Sequence, residues 1–167
     1  MQVINIIGCQ CSGKTTLIRE LMDKITYPSA HYDILEFYKN NDVIGSDKRM
    51  DWDKWEKAIH KLPASLNAFF KVNSLSSSES VAFVESAGTN QMLNSYIKEH
   101  YPKAVTFCLE IPTNPVLLDR AKAKDLPEDI IKDSTRYFRK NTYRLPDRYS
   151  YDQICKMVPG YLESLND

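Results

Sequence analysis

The sequence predicts an α/β protein with a parallel sheet of four or five strands and helices on both faces, and three observations carry this prediction. Short apolar runs rich in β-branched residues occur at 2–7, 81–84 and 105–109, as expected for strands buried on both sides. Longer segments with helical spacing of apolar residues separate these runs. The length of 167 residues is typical of one domain, so we expect residues 1–167 to form a single unit.

The remaining elements are predicted from the same two patterns, short apolar runs for strands and helical spacing of apolar residues for helices. Residues 30–35 are predicted as the second strand and residues 39–51 as a loop. We expect Pro63 to bend the second helix and Pro159-Gly160 to interrupt the last one, because proline removes a helical hydrogen bond. The expected helices share apolar residues at helical spacing or a proline near the start, and they cover residues 14–22, 52–70, 90–100, 115–124, 127–140 and 151–165.

Composition and charge exclude several classes of protein. Lys+Arg and Asp+Glu number 22 each, so the formal net charge is zero and no whole-molecule basic field could hold nucleic acid. No apolar run approaches the ~18–20 residues of a membrane span, and residues 1–7 do not resemble a signal peptide. Four cysteines without a CxxC pair argue against a zinc site and suit a reducing compartment. We therefore expect a cytoplasmic protein without membrane contacts.

Residues 8–15 read GCQCSGKT and match G-x-x-x-x-G-K-[ST] at every fixed position. The glycines permit backbone conformations that aim consecutive N–H groups inward, and the helix that follows adds its positive N-terminus. Lys14 can reach the β- and γ-phosphates of a nucleoside triphosphate, and the Thr15 hydroxyl can hold magnesium. We therefore predict ATP and Mg²⁺ as cofactors. The predicted nucleotide ligands in this segment are Gly8, Cys9, Gln10, Cys11, Ser12, Gly13, Lys14, Thr15 and Thr16.

The motif follows a predicted strand and opens a predicted helix, so the chain resembles the P-loop NTPase superfamily. This resemblance implies the three-layer P-loop NTPase fold. Cys9 and Cys11 occupy its variable positions, where we interpret them as side chains that fill the loop rather than as redox groups. We expect Lys14 to be an exposed loop residue whose replacement leaves the fold intact.

The later part of the chain favours a kinase over other members of the superfamily. Residues 105–112 and 115–122 resemble the strand and lid helix of small nucleoside, nucleotide and polynucleotide kinases. In those families an arginine of the lid helix lies over the transferring phosphate, and Arg120 is the matching position. Arg136 and Arg139 are further candidates on the next helix, and Arg136 is predicted as a phosphate ligand. The lid, at about 114–148, is cationic, which suits phosphoryl transfer.

Residues 31–39, HYDILEFYK, are similar to the segment after the second strand of phage polynucleotide kinases. There an acid acts as general base for the acceptor hydroxyl, and a basic residue follows it. The resemblance places Glu36 at the acid position and Lys39 at the basic one, although the family usually has Asp. Asp33 is the alternative base, and a structural role for both acids stays open. Glu85 ends the third strand, as Walker B-type acids do, so it is predicted to hold magnesium or the acceptor, or to pair with a basic residue.

These observations lead to one functional prediction and its alternatives. We expect an ATP-dependent kinase that acts on a nucleoside, a nucleotide or a polynucleotide 5′-end. Residues 83–88, FVESAG, look similar to the post-strand segment of metallochaperone GTPases, so a P-loop GTPase or ATPase switch remains an alternative, as does a catalytically inactive nucleotide-binding protein. No lysine has Asp two positions later, as the N-K-x-D motif of guanine-specific GTPases requires.

Overall fold

The computed structural model describes residues 1–75, 77–142 and 147–165, and a five-stranded sheet forms its centre. The strands are β1 (Gln2–Ile7), β2 (Ser29–Asp33), β3 (Val81–Ser86), β4 (Val105–Leu109) and β5 (Arg148–Tyr149). They run parallel in the order β2–β3–β1–β4–β5. The predicted α/β class with a parallel sheet is confirmed. Residues 143–146 of the predicted lid lie outside the described residues.

Helices connect the strands and cover both faces of the sheet. They are α1 (Lys14–Lys24), α2 (Ile34–Asn40), α3 (Trp52–Ala58), α4 (Leu62–Val72), α5 (Gln91–His100), α6 (Asn114–Ala123), α7 (Glu128–Thr142) and α8 (Tyr151–Ser164). Helices α1 and α8 pack on one face, and α4 and α5 pack on the other. Helices α6 and α7 pack on each other and on residues at the carboxyl ends of β1 and β4. The three layers are thus helix, sheet and helix.

Apolar side chains from alternating positions of the central strands form the core on each face. On the first face, Ile4 and Phe83 pack with Leu21 of α1. On the second face, Val3 packs with Leu66 of α4. Strands β1 and β3 are buried along their whole length, which is the pattern expected of central strands in a parallel sheet. This rigid centre holds the carboxyl ends of the strands, where ligands bind in such folds.

The second strand is shorter than predicted. It ends at Asp33, and Ile34 is already the first residue of α2. The side chain of Asp33 accepts a hydrogen bond from the backbone N–H of Leu35 at 2.9 Å and so caps the helix. The prediction of a strand over 30–35 is therefore wrong in its last two residues, because an Asp cap outweighs the strand preference of a short apolar pair.

The helix predicted over 52–70 is divided rather than bent. Helix α3 ends at Ala58, a 3-10 turn covers Ile59–Lys61, and α4 begins at Leu62. Pro63 lies in the first turn of α4, where its missing N–H would have had no helical partner. The proline thus starts a new helix instead of bending an existing one.

Helix α8 runs without a break through Pro159 and Gly160, so the predicted interruption is wrong. Proline costs this helix one hydrogen bond, but the helix buries Ile154, Val158 and Leu162 against the sheet, and that burial offsets the cost. Tertiary packing therefore decides the outcome here. Within the described ranges, no helix is both long enough and apolar enough to cross a membrane.

Gly88 follows β3 with a φ of 73°, and a Cβ there would lie 2.8 Å from Cδ1 of Ile7 and 3.1 Å from its Cβ. Gly88→Ala thus combines a left-handed alanine with a clash in the core, and we expect it to lower the free energy of unfolding by about 2–4 kcal/mol. Gly160→Ala is the matched control, because Gly160 is helical with nothing within 4 Å, and it should gain about 0.5–1 kcal/mol. Urea denaturation measures both, and equal stability of the two variants would contradict this expectation.

Candidate active site

The loop between β1 and α1 curls tightly. Cys11 and Gly13 have positive φ angles of 62° and 103°, and the N–H of Ser12 donates to the carbonyl of Cys9 at 3.2 Å. Alternation of ordinary and left-handed backbone turns consecutive N–H groups toward one centre and makes an anion nest. A Cβ on Gly8 would lie 2.7 Å from Oγ of Ser12, so glycine lets the loop close this tightly. That Oγ is buried and has no partner in the described chain, which leaves it free for a phosphate oxygen.

Lys14 is buried, contrary to the exposed position expected from the sequence. Lys14 is 9% exposed. Its Nζ donates to the carbonyl of Cys9 at 2.9 Å and lies 3.9 Å from Oε1 of Glu85. Burial lowers the pKa of Lys14, and the negative charge of Glu85 opposes this shift only in part. A phosphate group in the loop would therefore stabilise the charged form of the lysine.

Glu85 is a buried carboxylate with three partners. The Thr15 hydroxyl lies 3.0 and 3.1 Å from its two oxygens, and Nε2 of His31 lies 2.8 Å from Oε2. Burial by itself raises the pKa of Glu85, but the His31 hydrogen bond, the charge of Lys14 and the Thr15 hydrogen bond together bring it below its usual range. The Glu85 side chain is therefore ionised at neutral pH although it is buried.

Thr15 and Glu85 together provide two kinds of hard oxygen, the donor type that Mg²⁺ prefers. No cluster of three or more His, Cys, Asp or Glu side chains in the described ranges could hold a metal by itself. Magnesium usually takes one or two protein oxygens and completes its shell with water and phosphate. This pair therefore fits a magnesium ion that arrives with a nucleotide, and Thr15 and Glu85 are the residues that would hold it.

His31 belongs to this site although it is not among the residues predicted from the sequence. Strand β2 pairs with β3 so that Asp33 lies opposite Glu85. Residues 31 and 33 point to the same face of β2 because side chains alternate along a strand. The sequence signal for His31 is the pattern His-x-Asp at the carboxyl end of a strand. Assigning His31 to the site from this pattern also requires knowing that β2 lies next to β3.

The two acids considered as acceptor base lie in different surroundings. Asp33 is half-buried at the carboxyl end of β2, and burial together with the nearby charge of Glu85 raises its pKa. Glu36 lies in the first turn of α2 with its side chain 62% exposed, and its carboxylate lies 3.0 Å from Nζ of Lys39. The structure thus brings Asp33 to Glu85. It places Glu36 on the solvent side, paired with Lys39, the residue at the basic position of the resemblance.

The lid arginines lie in two places. Nη1 of Arg120 on α6 donates to the carbonyl of Cys11 at 3.0 Å, so this residue reaches the P-loop. Arg136 on α7 is mostly exposed and pairs with an acidic residue of its own helix at 2.6 Å. Arg139 follows one turn later on α7. Its charge acts on the P-loop residue Cys9: burial raises the pKa of the Cys9 thiol, and the positive charge of Arg139 is one of the effects that oppose this rise. Of the two residues predicted to bind phosphate, only Arg120 contacts the loop, and the role of Arg136 stays a prediction.

The other side chains of the loop have simpler surroundings. Cys9 and Cys11 are free and buried, and burial raises the pKa of both thiols. Both thiols are therefore protonated at neutral pH, as side chains that fill the loop would be. Gln10 is half-buried, and Thr16 is exposed in the first turn of α1, so their predicted nucleotide contacts stay predictions.

The sequence itself has no recognisable match: no protein-family model matches it, and no curated protein is significantly similar. Solved structures do resemble the fold. A gluconokinase from Sinorhizobium meliloti 1021 aligns over 98% of this chain and 93% of its own, with a TM-score of 0.62 and 12% identity. A shikimate kinase from Aquifex aeolicus vf5 aligns over 99% of this chain and 98% of its own, with a TM-score of 0.55 and 21% identity.

A third similar structure is a chain of the Pnkp1/Rnl/Hen1 RNA repair complex. It covers 88% of this chain, which spans only 47% of that one, with a TM-score of 0.61 and 14% identity. Identities this low show the fold. This chain has the three-layer α/β fold of the P-loop kinases, with the loop of the G-x-x-x-x-G-K-[ST] motif between β1 and α1.

Asp33→Asn should stabilise the protein at neutral pH. A carboxyl whose pKa is raised in the folded state lowers stability as the pH rises through that pKa, and asparagine caps a helix as well as aspartate does. We expect a higher Tm than wild type at pH 7, with the difference shrinking as the pH falls through the raised pKa, because wild-type Asp33 is then neutral. Thermal denaturation followed by circular dichroism measures this difference.

Asp51→Asn is the matched control for this stability measurement. Asp51 caps α3 by accepting from the N–H of Lys54 at 3.1 Å, but at an exposed position. Its replacement should leave Tm at pH 7 unchanged or slightly lower. If Asp33→Asn is no more stable at pH 7 than Asp51→Asn, the ionised Asp33 carboxylate does not destabilise the folded protein.

Proposed function

We propose that this protein is an ATP-dependent phosphotransferase that moves the γ-phosphate of ATP to a hydroxyl group of a nucleoside, a nucleotide or a polynucleotide 5′-end. The observation that supports this proposal best is Asp33, which lies opposite Glu85 at the carboxyl end of β2 and whose charge interacts with those of Glu85 and Lys14. Transfer to an alcohol calls for a carboxylate in such a position, because the hydroxyl must lose its proton and the carboxylate can accept it.

In this proposal the P-loop binds the triphosphate. The backbone N–H groups of the nest and the Lys14 ammonium hold the β- and γ-phosphates. Lys14 exchanges its hydrogen bond to the Cys9 carbonyl for phosphate oxygens. Thr15 and Glu85 hold magnesium, which supplies positive charge to the phosphate oxygens. His31 keeps the Glu85 carboxylate in place through its hydrogen bond at 2.8 Å.

Asp33 is the proposed general base. A carboxylate accepts a proton more readily when its pKa is raised, provided that it is still ionised at the working pH. Burial and Glu85 raise the pKa of Asp33, so its environment suits this role. Glu36, the first choice from the sequence, is exposed and paired with Lys39, and the proposal gives it no part in the chemistry.

Arg120 is the proposed source of positive charge for the phosphoryl group during transfer. It belongs to the lid helix α6 and already contacts the P-loop through the Cys11 carbonyl. A guanidinium in this position can donate two hydrogen bonds to phosphate oxygens. Charge of this kind acts on the transition state and so raises turnover more than it raises affinity for ATP.

The similar structures support a kinase, since they carry the names gluconokinase and shikimate kinase. The choice of a nucleoside, nucleotide or polynucleotide acceptor rests instead on the resemblance of residues 31–39 and 115–122 to the nucleoside and polynucleotide kinases. A P-loop structure from an RNA repair complex among the matches agrees with that choice.

A second candidate function is an NTPase switch of the metallochaperone type, favoured by the FVESAG sequence at 83–88. In this segment Ser86 and Gly88 form a local turn, with the Gly88 N–H donating to Oγ of Ser86 at 3.0 Å. A switch would hydrolyse its nucleotide slowly and label no acceptor. The acceptor experiment that follows separates the two functions.

Incubation with γ-³²P-ATP, Mg²⁺ and a panel of acceptors tests the proposed function. The panel holds a nucleoside, a nucleoside monophosphate and a 5′-hydroxyl oligonucleotide. We expect label on one of them, and we expect Lys14→Ala to abolish transfer because it removes the cation that contacts the phosphates. Lys24→Ala is the matched control, since Lys24 lies exposed on the same helix and pairs with Glu20. Release of free phosphate without labelled acceptor would replace the kinase by the switch.

Asp33→Asn and Glu36→Gln distinguish the two candidate bases. If Asp33 accepts the proton, Asp33→Asn should lower turnover by about 10²–10⁴-fold with little change in ATP affinity. Glu36→Gln removes an exposed carboxylate and should leave turnover within about twofold. Steady-state kinetics with the labelled acceptor measure both variants. The reverse result would restore Glu36 as the base.

A further inference from the structure

A groove of about 270 Å³ lies between α6 and α7, and no P-loop residue lines it. Its floor is apolar and consists of Leu117, Leu118 and Ile131. Its rim is cationic, with Arg136 and Arg139 from α7. A cavity slightly smaller than the 300–1,000 Å³ typical of ligand sites, with an apolar floor and a few polar groups, has the character of a site for a small molecule.

Thr135 supplies a buried polar group to this groove. The residue is 5% exposed, and its Oγ1 has no hydrogen-bond partner in the described chain. A helical threonine commonly donates to the carbonyl four residues earlier, as Thr142 of the same helix does to Phe138 at 2.6 Å. Thr135 makes no such bond. Buried hydroxyls without a partner are rare because they cost free energy, so this one indicates a missing oxygen or nitrogen in the groove.

The charges on α7 point to an anion. Lys132 and Arg136 each pair with an acid of their own helix, whereas Arg139 has no ion pair within residues 1–75, 77–142 and 147–165. Arg136 and Arg139 lie three residues apart on one face of α7 and line the same groove, and Arg139 lacks a counter-charge of its own among the described residues. An anion in the groove would supply that counter-charge.

The start of α6 adds a third feature at the same groove. Thr113 occupies the N-cap position but makes no side-chain cap, and Asn114, the first residue of the helix, lines the groove. The uncapped N–H groups and the helix dipole therefore place partial positive charge at this end of the cavity. Cations, a free hydroxyl and a helix N-terminus thus meet in one place.

We propose that the groove between α6 and α7 binds a phosphomonoester that carries one ring. The phosphate lies at Arg139, Arg136 and the Thr135 hydroxyl, and the ring packs on the apolar floor. The volume accommodates a phosphate and a single ring system but not a longer ligand. The groove borders the P-loop, because Leu117 and Ile131 belong to the same apolar cluster as Cys9 and Cys11, but no P-loop residue lines it. The proposal therefore does not rest on the proposed kinase function.

Isothermal titration calorimetry with phenyl phosphate, a phosphomonoester with one ring, tests the site. The titration uses Lys14→Ala protein as well as wild type, so that the P-loop does not account for the signal. We expect one phenyl phosphate per chain in Lys14→Ala, with phenol and inorganic phosphate each at least tenfold weaker. Loss of phenyl phosphate binding in Lys14→Ala would overturn the proposal, because the P-loop would then be the binding site. Inorganic phosphate that binds as tightly as phenyl phosphate would overturn the part played by the ring.

Substitutions at the groove test the proposed contacts. Thr135→Val keeps the shape and removes the hydroxyl, so it should weaken phenyl phosphate binding at least tenfold while raising the Tm of the free protein. Thr135→Ser keeps the hydroxyl and should retain binding. Arg139→Gln should also weaken binding at least tenfold, and Lys140→Gln, on the next position of the helix, is the matched control. Unchanged phenyl phosphate affinity in both Thr135→Val and Arg139→Gln would overturn the proposal.

Discussion

The buried carboxylate of Glu85 is the group on which the rest of the site depends. A charge removed from water is tolerated only when it is paired and hydrogen-bonded, and Glu85 meets that condition through Thr15, His31 and Lys14. These partners come from α1 and β2, so satisfying one carboxylate fixes the start of α1 and the end of β2 against β3. The same contacts give Lys14 its counter-charge, since that ammonium is also buried.

The parts of this molecule that local signals specify were predictable from the sequence. The P-loop motif combines a strand, a turn of fixed backbone shape and a helix start, so it located β1 and α1 together. The run at 105–109 is strand β4 with the predicted bounds, because it is apolar and ends before a proline. Glu85 was predicted at the end of a strand, and it lies in the last part of β3. Arg120 was predicted to lie over the transferring phosphate, which stays a prediction, and its side chain contacts the Cys11 carbonyl of the P-loop.

The parts that depend on tertiary neighbours were not predictable in the same way. Strand β5 has two residues, Arg148 and Tyr149, too few for any periodicity, and it exists only because β4 offers a free edge. The burial of Lys14 and the inclusion of His31 both require the proximity of β3. The choice between Asp33 and Glu36 turns on where β2 ends, and a capping hydrogen bond sets that point. Packing likewise carries α8 through its proline.

The position of β1 in the middle of the sheet has a consequence for how the chain folds during synthesis. β1 emerges from the ribosome well before its neighbours β3 and β4, and the contacting residues Asn5 and Thr106 are 101 residues apart. Contacts over such sequence distances must overcome a large loop-closure entropy, which slows folding. The P-loop emerges early, but it gains its buried counter-charge only once Glu85, 70 residues after Thr15, has been made.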